Sequence, residues 1–290
     1  MRKTIFLTMC LAALFSCEMK DNGTDIDLSG YTVFKVDMEA ITIDGDISGQ
    51  RVWKQGDMIG VFGSEQGDNA GFYLKQASDG ETVAEFYGPL VKGDDVRACF
   101  PYDRSMAAER GGLPCELAPT QLYDPQKTAL EHYLTYSTRA FATLDDNNEF
   151  HFAYPYGILE VVIALDEPVI MTGARLSGQG PLSGKFLMDA GNELVATDIS
   201  QNSLSLDFGG KEYSSKDGAR NAAMYFVLPP AVYAAGELTF EIDVKGEASM
   251  AVLLDQIDVH RVDCSEFSVT SIAVNLSDIP GLDIKDGYLE

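Results

Sequence analysis

The sequence predicts an all-β protein built as two tandem β-sandwich domains, and three observations predict it. Apolar residues alternate with polar ones in short runs, the period of half-buried strands. Gly, Asp and Ser break those runs at intervals near those of sandwich folds, and helix signals are scarce throughout. The chain has 290 residues. Without its leader it keeps 274, enough for two domains on a prior of about 150 residues each.

The leader comes first. Arg2 and Lys3 form a positive n-region, Ile5 to Phe15 is apolar, and Leu14-Phe15-Ser16-Cys17 reads as a lipobox. An apolar run this short cannot span a bilayer as a helix, which takes roughly 20 residues, so residues 1–16 are expected to be a signal peptide. Cleavage before Cys17 leaves a thiol to carry lipid. Phe15 is bulkier than the usual lipobox residue, which leaves ordinary secretory cleavage and a buried N-terminal helix as the other readings. No other stretch reaches transmembrane length, so membrane attachment is expected through lipid on Cys17.

Residues 17–30 hold Asp21, Asn22, Gly23, Asp25, Asp27 and Ser29 with no apolar period, and read as an acidic tether. From Tyr31 the period changes to that of a strand, Thr32 to Met38. Strands are then expected at Val52–Trp53, Met58 to Phe62, Gly71 to Leu74, Thr82 to Tyr87 and Val96 to Phe100, with Gly93-Asp94-Asp95 as a turn. Pro101 to Leu134 shows little alternation and several breaks. It is expected to be mostly loop, with a short helix near Pro125 to Tyr133.

Asp145-Asp146-Asn147-Asn148 is the most polar break, so the domains are placed at 31–148 and 149–290. In the second, Gly157 to Leu165 is almost continuously β-branched, as in a strand buried on both faces. Further strands are expected at Val169 to Leu176, Leu182 to Leu187, Ser203 to Phe208, Met224 to Leu228, Leu238 to Val244 and Phe267 to Leu276.

Charge and cysteine narrow the function classes. The leader takes two of 21 basic residues and no acid, so the mature chain carries 19 against 45, a formal charge of −26. That balance repels nucleic acid and anionic lipid surfaces. Cys99 and Cys115 lie in one half and an exported protein permits them to pair. With an odd cysteine left over and no CxxC spacing, two buried thiols are the commoner arrangement.

Chemistry-bearing patterns are missing from the sequence. His132, His151 and His260 are isolated, without zinc spacing, and no G-x-S-x-G, P-loop or dinucleotide fingerprint occurs. The acid clusters Asp21 to Asp27 and Asp145 to Glu149 lack the order of a calcium loop and read as solvated turns. No catalytic, cofactor-binding or metal-binding residue is expected, and the chain is read as no enzyme.

Trp53-Lys54-Gln55-Gly56-Asp57-Met58-Ile59-Gly60-Val61-Phe62, then Phe72-Tyr73, Phe100-Pro101-Tyr102 and Phe150-His151-Phe152 opening a β-branched strand, resemble the fimbrillin-like (Mfa-like) family of bacterial lipoprotein pilins and accessory subunits. Pro181-Leu182-Ser183-Gly184-Lys185-Phe186 adds a short Leu-x-Gly turn in the second domain. The resemblance implies two β-sandwich domains, the first transthyretin-like, in an outer-membrane surface lipoprotein or fimbrium. It also implies partners: other fimbrial subunits, the membrane through Cys17, and a host or bacterial surface receptor.

In polymerising members a protease cuts after an arginine, the first strand leaves, and a neighbour's strand fills the groove. Here the removable strand would be Tyr31 to Glu39. Arg51, the only arginine between Cys17 and Trp53, would be the processing site, with an uncut tether as the alternative. The tail Ser277 to Glu290 alternates at Leu282 and Ile284, but Asp283, Asp286 and Gly287 make it a poor donor, which favours a tip or anchor role. A different class of function also fits: a surface glycan-binding lipoprotein presenting an aromatic platform, with Tyr73, Tyr87, Tyr102, Tyr123, Tyr133 and Tyr136 as the available rings.

Overall fold

The computed structural model describes residues 28–38, 42–43, 46–47, 52–109, 112–164, 170–211, 213–214, 221–245, 249–262, 269–275, 284–285 and 288–289. Its strands in the first half are β1 (Thr32–Met38), β2 (Thr42–Ile43), β3 (Asp46–Ile47), β4 (Met58–Gly63), β5 (Gln66–Leu74), β6 (Val83–Gly88) and β7 (Arg97–Phe100). There follow β8 (Leu113–Leu117), β9 (Thr120–Leu122), helix α1 (Ala129–Tyr136), β10 (Ala140–Thr143), β11 (Glu149–Phe152), β12 (Gly157–Ala164) and β13 (Ile170–Gly178). Then come β14 (Gly184–Met188), β15 (Leu194–Ala196), β16 (Ser203–Asp207), β17 (Tyr213–Ser214), β18 (Asn221–Leu228) and β19 (Ala231–Tyr233). The last are β20 (Leu238–Val244), β21 (Met250–Leu253), β22 (Ile257–Val259), β23 (Thr270–Asn275), β24 (Ile284–Lys285) and β25 (Tyr288–Leu289). The described chain is all-β but for α1 and one 3₁₀ turn.

Seven strands form the first sheet in the order β10-β7-β4-β5-β6-β1-β11. Its two end strands meet again, because Phe141 and Ala153 exchange backbone hydrogen bonds at 2.9 and 3.0 Å. The sheet therefore wraps around one core, into which alternate residues point: Phe34, Val36, Ile59, Val61, Phe72, Phe86, Phe150 and Phe152. Trp53 is fully buried among them, edge-on to Phe86 and Phe100 with ring centroids 4.9 and 5.1 Å away. Gly56 bears the turn at φ +97°, and a Cβ on Gly60 would meet the Asn69 side chain at 2.2 Å. The positive φ calls for glycine at position 56, and a side chain at position 60 would have to displace that of Asn69.

Two sheets, β18-β12-β23 and β21-β20-β13-β16-β9, face one another across a second core. Leu159, Val161, Ile163 and Phe226 meet Leu176, Leu204, Phe240 and Ile242 there, giving the layered packing of a sandwich. β12 is the central strand of its sheet. It sends Ile158 to its other face as well, so both faces carry apolar residues, with Glu160 the one charge in the run.

A third core joins these two. Phe62, Cys99 and Phe141, on the outer face of the first sheet, pack with Leu130 and Tyr133 of α1, Cys115 and Leu117 of β8, Phe186 of β14, and Ile158 and Val227. The stretch expected to be mostly loop supplies this core. β8 pairs with β14, and β9 runs parallel to β16. Neither strand has its partner nearby in sequence, and Pro114 and Pro119 interrupt the local pattern, so a period-two reading passes over them. The expected helix is present, closed by a capping box in which Glu131 N–H donates to Thr128 Oγ1 and Thr128 N–H to Glu131.

The polar break at Asp145–Asn148 is the turn between β10 and β11, and both strands belong to the seven-stranded sheet. Asp145 Oδ1 accepts from the backbone N–H of Asn147 and Glu149 at 2.9 and 2.7 Å, so this acid cluster builds the turn. Polarity there marks a tight reversal within the first sheet, and Glu149–Phe152 completes that sheet.

Candidate functional site

β1 has an unusual place for a first strand: it is inserted between two others. It runs antiparallel to β6 from Thr32 to Asp37 and parallel to β11 from Lys35 to Met38. Its inner residues Phe34, Val36 and Met38 are buried. Phe34 lies 5.3 Å from the ring of Phe72 and 4.9 Å from that of Phe150. On the outer face Lys35 Nζ is 2.6 Å from Glu149, and His151 Nδ1 is 2.9 Å from Asp37. Asp37 raises the pKa of His151 through this hydrogen bond, and Glu149 does the same for Lys35. Removing β1 would take away one strand of the closed sheet and three core side chains. At about 1.5–3 kcal/mol each, the core side chains alone make the vacated groove strongly unfavourable unless another strand fills it.

The connection leaving β1 ends at Val52, which is exposed, and Trp53, which is locked in the core. Trp53 N–H donates to Glu81 O at 2.9 Å and its indole Nε1–H to Thr82 O at 3.1 Å. Trp53 is thus tied to the segment before β6 by two hydrogen bonds to residues outside β1. Arg51 and Cys17 lie outside the described residues, as does most of the tail; β24 and β25 of that tail pair with each other.

The histidines differ in surroundings. His132 on α1 is buried, and burial, aided by Lys127, pushes its pKa down to about 4. Its Nε2 is 3.0 Å from Gln121 Oε1. The same Oε1 accepts from Val227 N–H at 3.0 Å while Gln121 Nε2–H donates to Val227 O at 2.8 Å. His260 is exposed near Asp258. Among the described residues no group of three or more His, Cys, Asp or Glu side chains gathers as a metal site. No described helix is long and apolar enough to cross a membrane.

Cys99 and Cys115 are both buried and free, their thiols pushed up to about 11 and about 12 by burial. A cavity of about 520 Å³ opens above Cys115 between Asp103, Arg139, Glu116 and Lys185. Arg139 donates to Asp103 at 2.6 Å, and with Ser105, the larger cause, holds that carboxyl down to about 2. Of the tyrosines considered for a platform, Tyr133 and Tyr123 are core residues. Tyr73 and Tyr87 do meet on the outer face of the first sheet at 6.1 Å, and Tyr31, at the entry to β1, adds a third ring 5.9 Å from Tyr87. Sequence reasoning missed Tyr31, because nothing local places it beside β6.

The architecture defines the class: an all-β protein with a wrapped first sheet and a sandwich behind it, fused through a shared core. Within that class, the chain is similar to a candidate cell-adhesion protein of Bacteroides ovatus at TM-score 0.51 and 12% identity, over 90% of this chain and 97% of that one. Weaker likenesses are a candidate cell-adhesion protein of Parabacteroides distasonis (TM-score 0.45, 9% identity, 90% and 95% covered) and the fimbrial anchor protein Mfa2 of Porphyromonas gingivalis (0.42, 10%, 89% and 98%). The first of these shows a shared fold. No protein-family model and no curated protein matches the sequence.

Proposed function

We propose that this chain is a surface subunit of a fimbrial assembly, of tip or anchor type, in cell adhesion, and that it joins its neighbours by strand complementation. The carrying observation is β1, the first described strand, inserted between β6 and β11 and followed by Trp53, which bonds to the backbone just before β6. Exchange of such a strand replaces one ladder of backbone hydrogen bonds by another and exposes the core only in passing. The fold shared with a candidate adhesin from Bacteroides ovatus and the fimbrillin-like sequence run support the same reading.

In this reading Cys17 carries lipid and holds the precursor at the outer membrane, the wrapped first sheet and the sandwich form the body, and no step of chemistry is required of the chain. Cutting after Arg51 would make the lipid a delivery label; an uncut chain would make it the foot of an anchor. The protein recovered from cells should be sequenced at its N-terminus and tested as a heat-sensitive multimer ladder on gels. A start at Val52 with a ladder supports a polymer subunit. A lipidated Cys17 within the ladder supports an anchor, and a strictly monomeric protein overturns the assembly reading.

The row of exposed Tyr31 and Tyr73 about half-buried Tyr87 favours a second reading, a platform for a surface glycan, since sugar faces stack on aromatic rings. A monomer that binds polysaccharide and loses binding in Tyr73→Ala and Tyr87→Ala variants would decide for it.

A further inference from the structure

The seat of β1 has two faces, and only the inner one is accounted for by the core. Side chains opposite β1 on the outer face carry charge in a fixed order. Lys35 lies between Glu149 on β11 and Glu85 on β6, and bonds to Glu149 while Glu85 is taken by Lys75 at 2.7 Å. Two residues on, Asp37 lies opposite His151, whose other ring nitrogen is 3.6 Å from Asp145. Val83 and Tyr87 complete the β6 side, opposite Asp37 and Val33. A strand shifted by one residue would put its apolar side chains on this charged face, and one shifted by two would misplace charge.

We propose that this outer face reads charge: a strand from another polypeptide that takes the place of β1 must set a basic side chain opposite Glu149 and a carboxylate opposite His151, alternating with apolar residues inside. The proposal rests on the strand-complementation reading and adds to it the chemistry of the partner segment, apolar–basic–apolar–acidic–apolar as in Phe34 to Met38. Main-chain bonding and the apolar anchors supply affinity to any strand of sufficient apolar character. Paired charges directly across a sheet then discriminate, because a like charge at the same position is repelled.

A test uses the full mature chain with a site-specific protease sequence in place of residues 48–51, cut so that β1 is held without a covalent link. Fluorescent peptides of residues 28–38 compete for the seat: the native sequence, the charge-swapped K35E/D37K form, and F34S/V36S/M38S as an apolar-deleted control. The native peptide should bind about fivefold or more tightly than the swapped one, a ratio set by partly exposed pairs. In a Glu149→Lys, His151→Asp chain the order should invert.

Should that variant not fold, the native and D37N peptides on the unaltered seat give a second reading. The native advantage should be present at pH 6 and shrink at pH 9, as His151 loses its proton between Asp37 and Asp145. Equal binding of native and swapped peptides, or an advantage independent of pH, overturns charge reading and leaves strand replacement standing. Failure of every peptide to enter overturns strand replacement and this proposal with it.

Discussion

Gln121 does at the scale of one residue what a strand would do at the scale of an element. β18 lies at the edge of its sheet, and the outward backbone of Val227 would be left bare; the Gln121 amide supplies one donor and one acceptor to it. Gln121→Leu removes both and strands His132 as well, so a loss of about 2 kcal/mol or more is expected, read as a lower urea midpoint. His132 itself titrates near 4 in the folded chain against about 6.5 unfolded. The unfolded state therefore binds the extra proton first. The stability this difference gives is complete above pH 6.5 and drains as pH falls toward 4, with a ceiling of about 3 kcal/mol. Urea midpoints between pH 7 and 4.5 should fall less steeply for His132→Leu than for the parent chain, each referred to its own value at pH 7. Neither residue's role was legible in the sequence, since Gln121 and Val227 meet only across 106 positions.

Elements were legible where their own residues carried the period. β12 announces itself by an almost continuously β-branched run, and β1 by the alternation from Thr32 to Met38. β8 and β9 do not, because each is short and takes its stability from a partner some 70 to 85 residues later. Register was likewise hidden: Lys35 and Asp37 on one strand and Glu149 and His151 on the other are complementary in charge, yet only parallel pairing at this offset brings them together. The importance of β1 to the wrapped sheet has a direct measure. Phe34→Ala removes a buried ring from between Phe72 and Phe150 and should cost about 3 kcal/mol or more in urea unfolding. A value below about 1 kcal/mol would mean that the first sheet closes without β1.

At the scale of the whole molecule, the third core decides whether the halves behave as one body. Cys99 belongs to the first sheet, Cys115 to the crossing strand β8, and both are buried in that core. With Cys17 and Cys264 replaced by Ser in the mature chain, the two thiols should resist a thiol reagent and then react together over the urea range in which the sandwich unfolds. Reaction of Cys99 and Cys115 well before the main transition would mean that the halves separate first. By itself, the sequence determined the all-β class, most strands and the short helix, because these follow from local period and local turn chemistry. Only the tertiary structure decided that the break at Asp145–Asn148 lies inside a sheet, that β8 and β9 cross to the other half, and that β1 is an inserted strand with a charged outer face. Those features depend on which distant strands lie side by side, and a period of two residues is the same whichever neighbour a strand finds.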